Sequence, residues 1–163
     1  MTYAVSNPRI GSQPIADTST VQNHPLGTKL SAVDPTNGEG EFVYLKGATS
    51  TAVGDWATIN YDDNSTTRLA ANAIGPVGVA MSANAASTSY GWYQIRGKAS
   101  AQAAASFADD GRVYITATAG VVDDAVVDGD LVHNALGAST ITDAGLADFE
   151  IQYPYTDDIN SND

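Results

Sequence analysis

The chain has 163 residues with 19 acidic and 7 basic side chains, a formal net charge of −12. That balance repels phosphate and argues against a nucleic-acid partner, which takes up phosphates with Lys and Arg. No apolar run approaches the ~18 residues that cross a bilayer, so no membrane partner is expected, and the absence of cysteine excludes disulfide frameworks, thiol nucleophiles and cysteine zinc sites.

The first segment, residues 1–40, opens on MTYAVSNPRIG, which lacks the charged start and apolar core of a secretory signal. It is punctuated by Pro8, Pro14, Pro25 and Pro35 and by Gly11, Gly27, Gly38 and Gly40, so no periodic apolar pattern survives. The expectation is an extended N-terminal arm with one short strand near Thr28–Val33. It should add little apolar area to the core and be held by a neighbouring subunit.

From Glu41 the character changes, and residues 41–156 read as one β-barrel or β-sandwich domain. Phe42–Leu45 and Trp56–Tyr61 are β-rich runs, Val77, Val79 and Met81 share a face, and Trp92–Arg96 is another strand. Val113, Ile115 and Ala117 alternate with Tyr114 and Thr116; Ala147, Phe149, Ile151 and Tyr153 form the last apolar face. Asp-Asp-Asn-Ser, Asp-Asp-Gly and Asp-Gly-Asp between these runs are turn chemistry. Gly54-Asp55-Trp56 and Gly129-Asp130-Leu131 both read as a Gly-Asp turn entering a strand. Ala99–Ala108 reads as helix or as irregular chain, since alanine favours helix but no amphipathic stripe is present. Residues 157–163 form an acidic tail. The predicted class is mostly β, with a core of Phe42, Trp56, Ile59, Val79, Ile95, Val113, Ile115, Phe149 and Ile151.

Candidate chemistry is sparse. Asp148 and Glu150 share one strand face, the arrangement a glycosidase requires, but a solvated face is the stronger reading. The acidic doublets at residues 62–63, 109–110, 123–124 and 157–158 lack the spacing of a calcium loop and read as solvated turns. His24 and His133 have no nucleophile elbow to serve. No catalytic residue, metal ligand or cofactor is assigned. Arg96 and Lys98, two apart beside Tyr90, Trp92 and Tyr93, are read first as internal salt bridges and second as a contact for an acidic partner.

Several strings carry a resemblance. His24-Pro25-Leu26-Gly27-Thr28, Asp34-Pro35, Gly38-Glu39-Gly40-Glu41-Phe42 and Tyr44-Leu45-Lys46-Gly47 resemble stretches of tailed-phage virion proteins. So do Ala71–Pro76 leading into Val79–Ala83, Tyr90–Ile95, Arg112–Ile115 before Thr118-Ala119-Gly120, and Gly145-Leu146-Ala147 through Tyr153-Pro154-Tyr155. Together they are similar to the capsid decoration, or head cement, family of tailed bacteriophages. The resemblance implies a β-barrel or sandwich on the outer capsid surface, often trimeric, that stiffens the shell. Its partners are then the major capsid protein and further copies of itself, with no catalytic residues. The candidate capsid or subunit contacts are Tyr3, Arg9, Ile10, Ile15, Val21, His24 and Leu26 of the arm, with Arg96 and Lys98. The alternative is a glycan-binding or adhesion module of a phage tail or cell surface, using Trp56, Trp92 or Tyr93 as a stacking platform.

Overall fold

Short runs of β-branched and aromatic residues between Gly, Asp and Asn turns build strands throughout. The computed structural model describes residues 12–159 and the backbone of a two-residue strand before them. Among the described residues the regular structure is entirely strand: β1 (Ala4–Val5), β2 (Lys29–Asp34), β3 (Gly38–Lys46), β4 (Trp56–Asn60), β5 (Ser65–Arg68), β6 (Gly75–Ala80), β7 (Tyr90–Ala103), β8 (Arg112–Ile115), β9 (Val122–Asp123), β10 (Leu131–Gly137) and β11 (Gly145–Thr156). They form one sheet in the order β1-β2-β3-β7-β9-β8-β10-β11-β6-β4-β5, with β7 also bonded to β11 and β6. Pairing therefore runs from β7 through β9, β8, β10 and β11 back to β7, and the sheet curls into a ring. The protein is mostly β, as the sequence indicates.

Burial follows from this curl. The ring interior holds Trp56, Val79, Val113, Ile115, Phe149 and Ile151 with Phe107. Edge-to-face contacts link Phe149 to Trp56 at 5.1 Å and to Phe107 at 5.0 Å. Strand β3 and the first half of β7 are covered on both sides. Val43, Leu45, Tyr93 and Ile95 pack with Ile59 on one side, and Phe42, Tyr44 and Trp92 pack with Ile15 on the other. All nine expected core residues are buried.

At the junction of the two halves, Gly97 has φ +99°, and a Cβ there would lie 2.5 Å from the Glu39 carbonyl oxygen. Two residues of β7 oppose one of β3 at this point, a β-bulge. The buried Gln94 amide donates to the Arg96 and Lys98 carbonyls, both at 3.1 Å, and so holds the bulge.

Four expectations are corrected. Ala99–Ala108 is not a helix: residues 99–103 continue β7 against β11, with Ala99, Ala101 and Ala103 alternating into the ring. Eight paired residues outweigh alanine's local preference. Ala117 is exposed, because β8 ends at Ile115. Tyr153 leaves the apolar face of β11, for a bulge with φ +52° at Tyr153 turns Gln152 and Tyr153 outward in succession. The division at residue 41 falls inside β3, and residues 29–34 pair along its length. The strand expected near Thr28–Val33 is β2, and Ile15 and Leu26 before it pack on the chain's own core.

Candidate functional site

The N-terminal segment is pinned by polar groups. Gln13, 6% exposed, sits over Trp92 and Tyr44. Its carbonyl accepts the Trp92 indole N–H at 3.0 Å, and its side-chain oxygen accepts the Tyr44 hydroxyl at 3.0 Å and the Asn23 amide at 2.9 Å. Its side-chain nitrogen donates to the Asp17 carbonyl at 2.7 Å, and its backbone N–H donates to His24 Nε2 at 3.0 Å. The His24 ring packs at 5.0 Å on Tyr44 and 5.5 Å on Trp92. Ser19 and Tyr90 exchange backbone bonds of 3.0 and 2.8 Å. The chain that precedes this clamp adds β1 to the outer edge of β2, Ala4 opposite Val33 and Val5 opposite Ala32.

These contacts reassign several expected interface residues. Ile15 is buried at 4% in its own chain's core, and Leu26 packs half-buried on the same cluster, so both serve intramolecular packing. His24 is part of the clamp. Val21 remains 66% exposed and available to a partner. Tyr3, Arg9 and Ile10 lie outside the described residues. Arg96 bonds Glu41 at 3.1 Å and Gln152 at 3.2 Å, and Lys98 meets Asp148 at 2.8 Å, the internal salt bridges read from the sequence.

Asp148 and Glu150 do share a face opposite Phe149 and Ile151. Lys98 engages Asp148 and lies directly opposite Glu150, an ion-paired outer surface. That hydrogen-bonded pair raises the Lys98 ammonium above its usual range. Asp62-Asp63 and Asp109-Asp110 occupy turns, whereas Asp123 ends β9 and Asp157-Asp158 follow β11; Asp63 accepts the Ser65 N–H at 3.0 Å and hydroxyl at 2.6 Å, which lowers its carboxyl pKa, and Asp124 accepts the Ala108 N–H at 3.0 Å. The two Gly-Asp turns are also built as expected. Gly54 and Gly129 have φ of +82° and +83°; Asp55 accepts Arg68 Nε at 2.7 Å and Asp130 accepts the Asn72 N–H at 2.7 Å.

The stacking platform expected at Trp56, Trp92 and Tyr93 does not exist, since all three are fully buried. Tyr93 instead bonds Thr66 at 3.1 Å and Asn84 at 3.2 Å. Among the described residues the most exposed rings are Tyr61, Tyr153 and Tyr155, none of which the sequence marks as a platform. Two of them owe their exposure to the β11 bulge, for which a period-two pattern carries no signal. No protein-family model matches the chain, and a search of curated proteins finds no match to it.

Proposed function

We propose that this chain is a virion structural protein that binds the outer surface of a capsid shell and stabilises it. Its partners are the major capsid protein and further copies of itself, in a homotrimer. The observation that carries this reading is the addition of β1 to the β2 edge by a chain whose root is clamped at Gln13. An extended strand delivered to a sheet edge is an element that can pass between neighbouring subunits, because backbone bonds give affinity with little dependence on sequence. The strings that resemble the decoration family lie in the same places, with His24–Thr28 at the clamp and Gly38–Phe42 in β3. The net charge of −12 suits an outer layer, since particles coated with it repel one another.

Imaging of intact particles carrying and lacking the protein tests the proposal. Additional density is expected outside the major capsid shell, with the β1–β2 edge at a subunit boundary. Density confined to the tail, or none on the particle, overturns it.

A further inference from the structure

Among the described residues, the three most exposed aromatic side chains are Tyr61, Tyr153 and Tyr155, at 43%, 48% and 40%. All three line one groove of about 260 Å³, floored by Val77 and Ile95. Exposed aromatics gathered at one place mark a binding face.

Two of the rings, Tyr153 and Tyr155, are also held in position. The Tyr153 hydroxyl donates to the Glu41 carboxylate, and Lys29 Nζ lies 5.9 Å from the ring centroid. The Tyr155 ring is stacked by His133 at 4.7 Å and 11°, and His133 Nε2 meets Asp157 at 3.3 Å. Tyr153 adopts φ +52°, uncommon for a bulky residue and a form of strain that gathers at functional sites. Rings fixed before a ligand arrives lose little freedom on binding.

Beyond the His133–Tyr155 stack the surface continues into a second groove of about 560 Å³, whose polar lining includes Arg112, Asn134, Glu150 and Gln152. Arg112 and Glu150 flank Leu136 across β8, β10 and β11, and Glu150 faces Lys98 on β7. The charged groups beside these grooves are paired within the protein: Arg96 with Glu41 and Lys98 with Asp148, while Arg112 and Glu150 stand on either side of Leu136.

We propose that this face binds an uncharged oligosaccharide. Its sugar rings stack on Tyr61, Tyr153 and Tyr155, and its hydroxyls meet the amide and charged groups of the wider groove. A sugar offers flat C–H faces together with hydroxyls that both donate and accept, and this surface supplies aromatic planes beside both donors and acceptors. Charges already paired within the protein complement a neutral ligand, whereas a phosphate polymer or a strongly basic peptide calls for unpaired charge of one sign. The proposal does not rest on attachment to a capsid.

The test is to screen the full chain against an array of oligosaccharides, neutral and acidic, and to titrate ¹³C-tyrosine-labelled protein with cellohexaose, maltohexaose and chitohexaose. Neutral glycans are expected to bind, with saturable shifts of the Tyr61, Tyr153 and Tyr155 ring resonances. Tyr61→Ala and Tyr155→Ala should each weaken binding about tenfold or more, as loss of a central aromatic anchor does. Leu146→Ala, exposed on β11 outside both grooves, should leave affinity unchanged. Binding only to acidic glycans, no binding on the array, full binding by the Tyr61→Ala/Tyr155→Ala double variant, or ring shifts produced only by a protein partner each overturn the proposal.

Discussion

Trp56 and Trp92 are equally buried but differently satisfied, and the difference separates packing from hydrogen bonding. Trp92 donates to the Gln13 carbonyl, while Trp56 Nε1 has no partner among the described residues. Trp92→Phe leaves a buried carbonyl without its donor, costing about 1–3 kcal/mol beyond the lost packing. Trp56→Phe loses packing but removes an unpaired donor, so its midpoint in thermal denaturation should fall less; equal falls would show that the indole bond contributes nothing. Phe149, fully buried between Trp56 and Phe107, should cost ~3–5 kcal/mol as Ala. Tyr93 contributes to the alkaline limb. Burial raises its phenol above the ordinary range, against the opposing bonds from Thr66 and Asn84. The folded state then holds the proton more tightly than the unfolded chain, so the contribution is complete below about pH 10 and is lost as pH rises above it. Denaturant titrations from neutral pH to about pH 11 should show that Tyr93→Phe flattens this decline; an unchanged slope would assign it to other groups.

At the scale of elements, the N-terminal segment belongs to the fold as well as to any interface. Removing residues 1–22 strips Gln13 and Ile15 from Trp92 and Tyr44, so the truncated chain should melt at a lower temperature than the full one. Ile15→Ala alone should cost roughly 2–5 kcal/mol, and an unchanged melt would place Ile15 outside the core. The strands legible in the sequence are β3, β4, β6, β8, β11 and the first half of β7, which carry a strong apolar or aromatic signature with turn chemistry at their ends, together with β2 and the Gly-Asp entry to β10. The rest was hidden for physical reasons. β5 is Ser-Thr-Thr-Arg at a sheet edge, with Thr66 its one buried residue, so it lacks an apolar face to read. β10 buries Val132 and Ala135, whose spacing is shifted by an irregularity next to Asn134 at φ +59°. The alanines of β7 become strand only through β11, a partner more than forty positions away. The same limit applies to the sites. Salt bridges at Arg96 and Lys98 follow from local charge, whereas the tyrosine groove is assembled from β2, β6, β7 and β11 and the residue after β4.

At the scale of the whole molecule, the proposed role rests on repetition. One β1–β2 contact of two residue pairs supplies little affinity by itself. On a shell every copy meets equivalent neighbours, and engagement of one contact raises the effective concentration for the next, so weak contacts sum over the lattice. If copies exchange contacts around a threefold axis, light scattering of the purified chain should give a trimer, and a monomer at micromolar concentration would confine the exchange to the assembled shell. The −12 charge disfavours condensation of DNA by this chain, so an effect on genome retention must pass through the shell. Particles lacking the protein should therefore assemble but release DNA at a lower temperature. Restoring the purified full-length chain should raise the release temperature, and the chain without residues 1–22 should restore it incompletely. The salt dependence separates the sources of that gain: attachment through backbone pairing at a sheet edge persists as salt rises, whereas attachment through surface charge weakens once the screening length shrinks below ~10 Å. Identical release temperatures with and without the protein, at low and high salt alike, would remove the cement role and leave the glycan-binding face as the chain's remaining proposed activity.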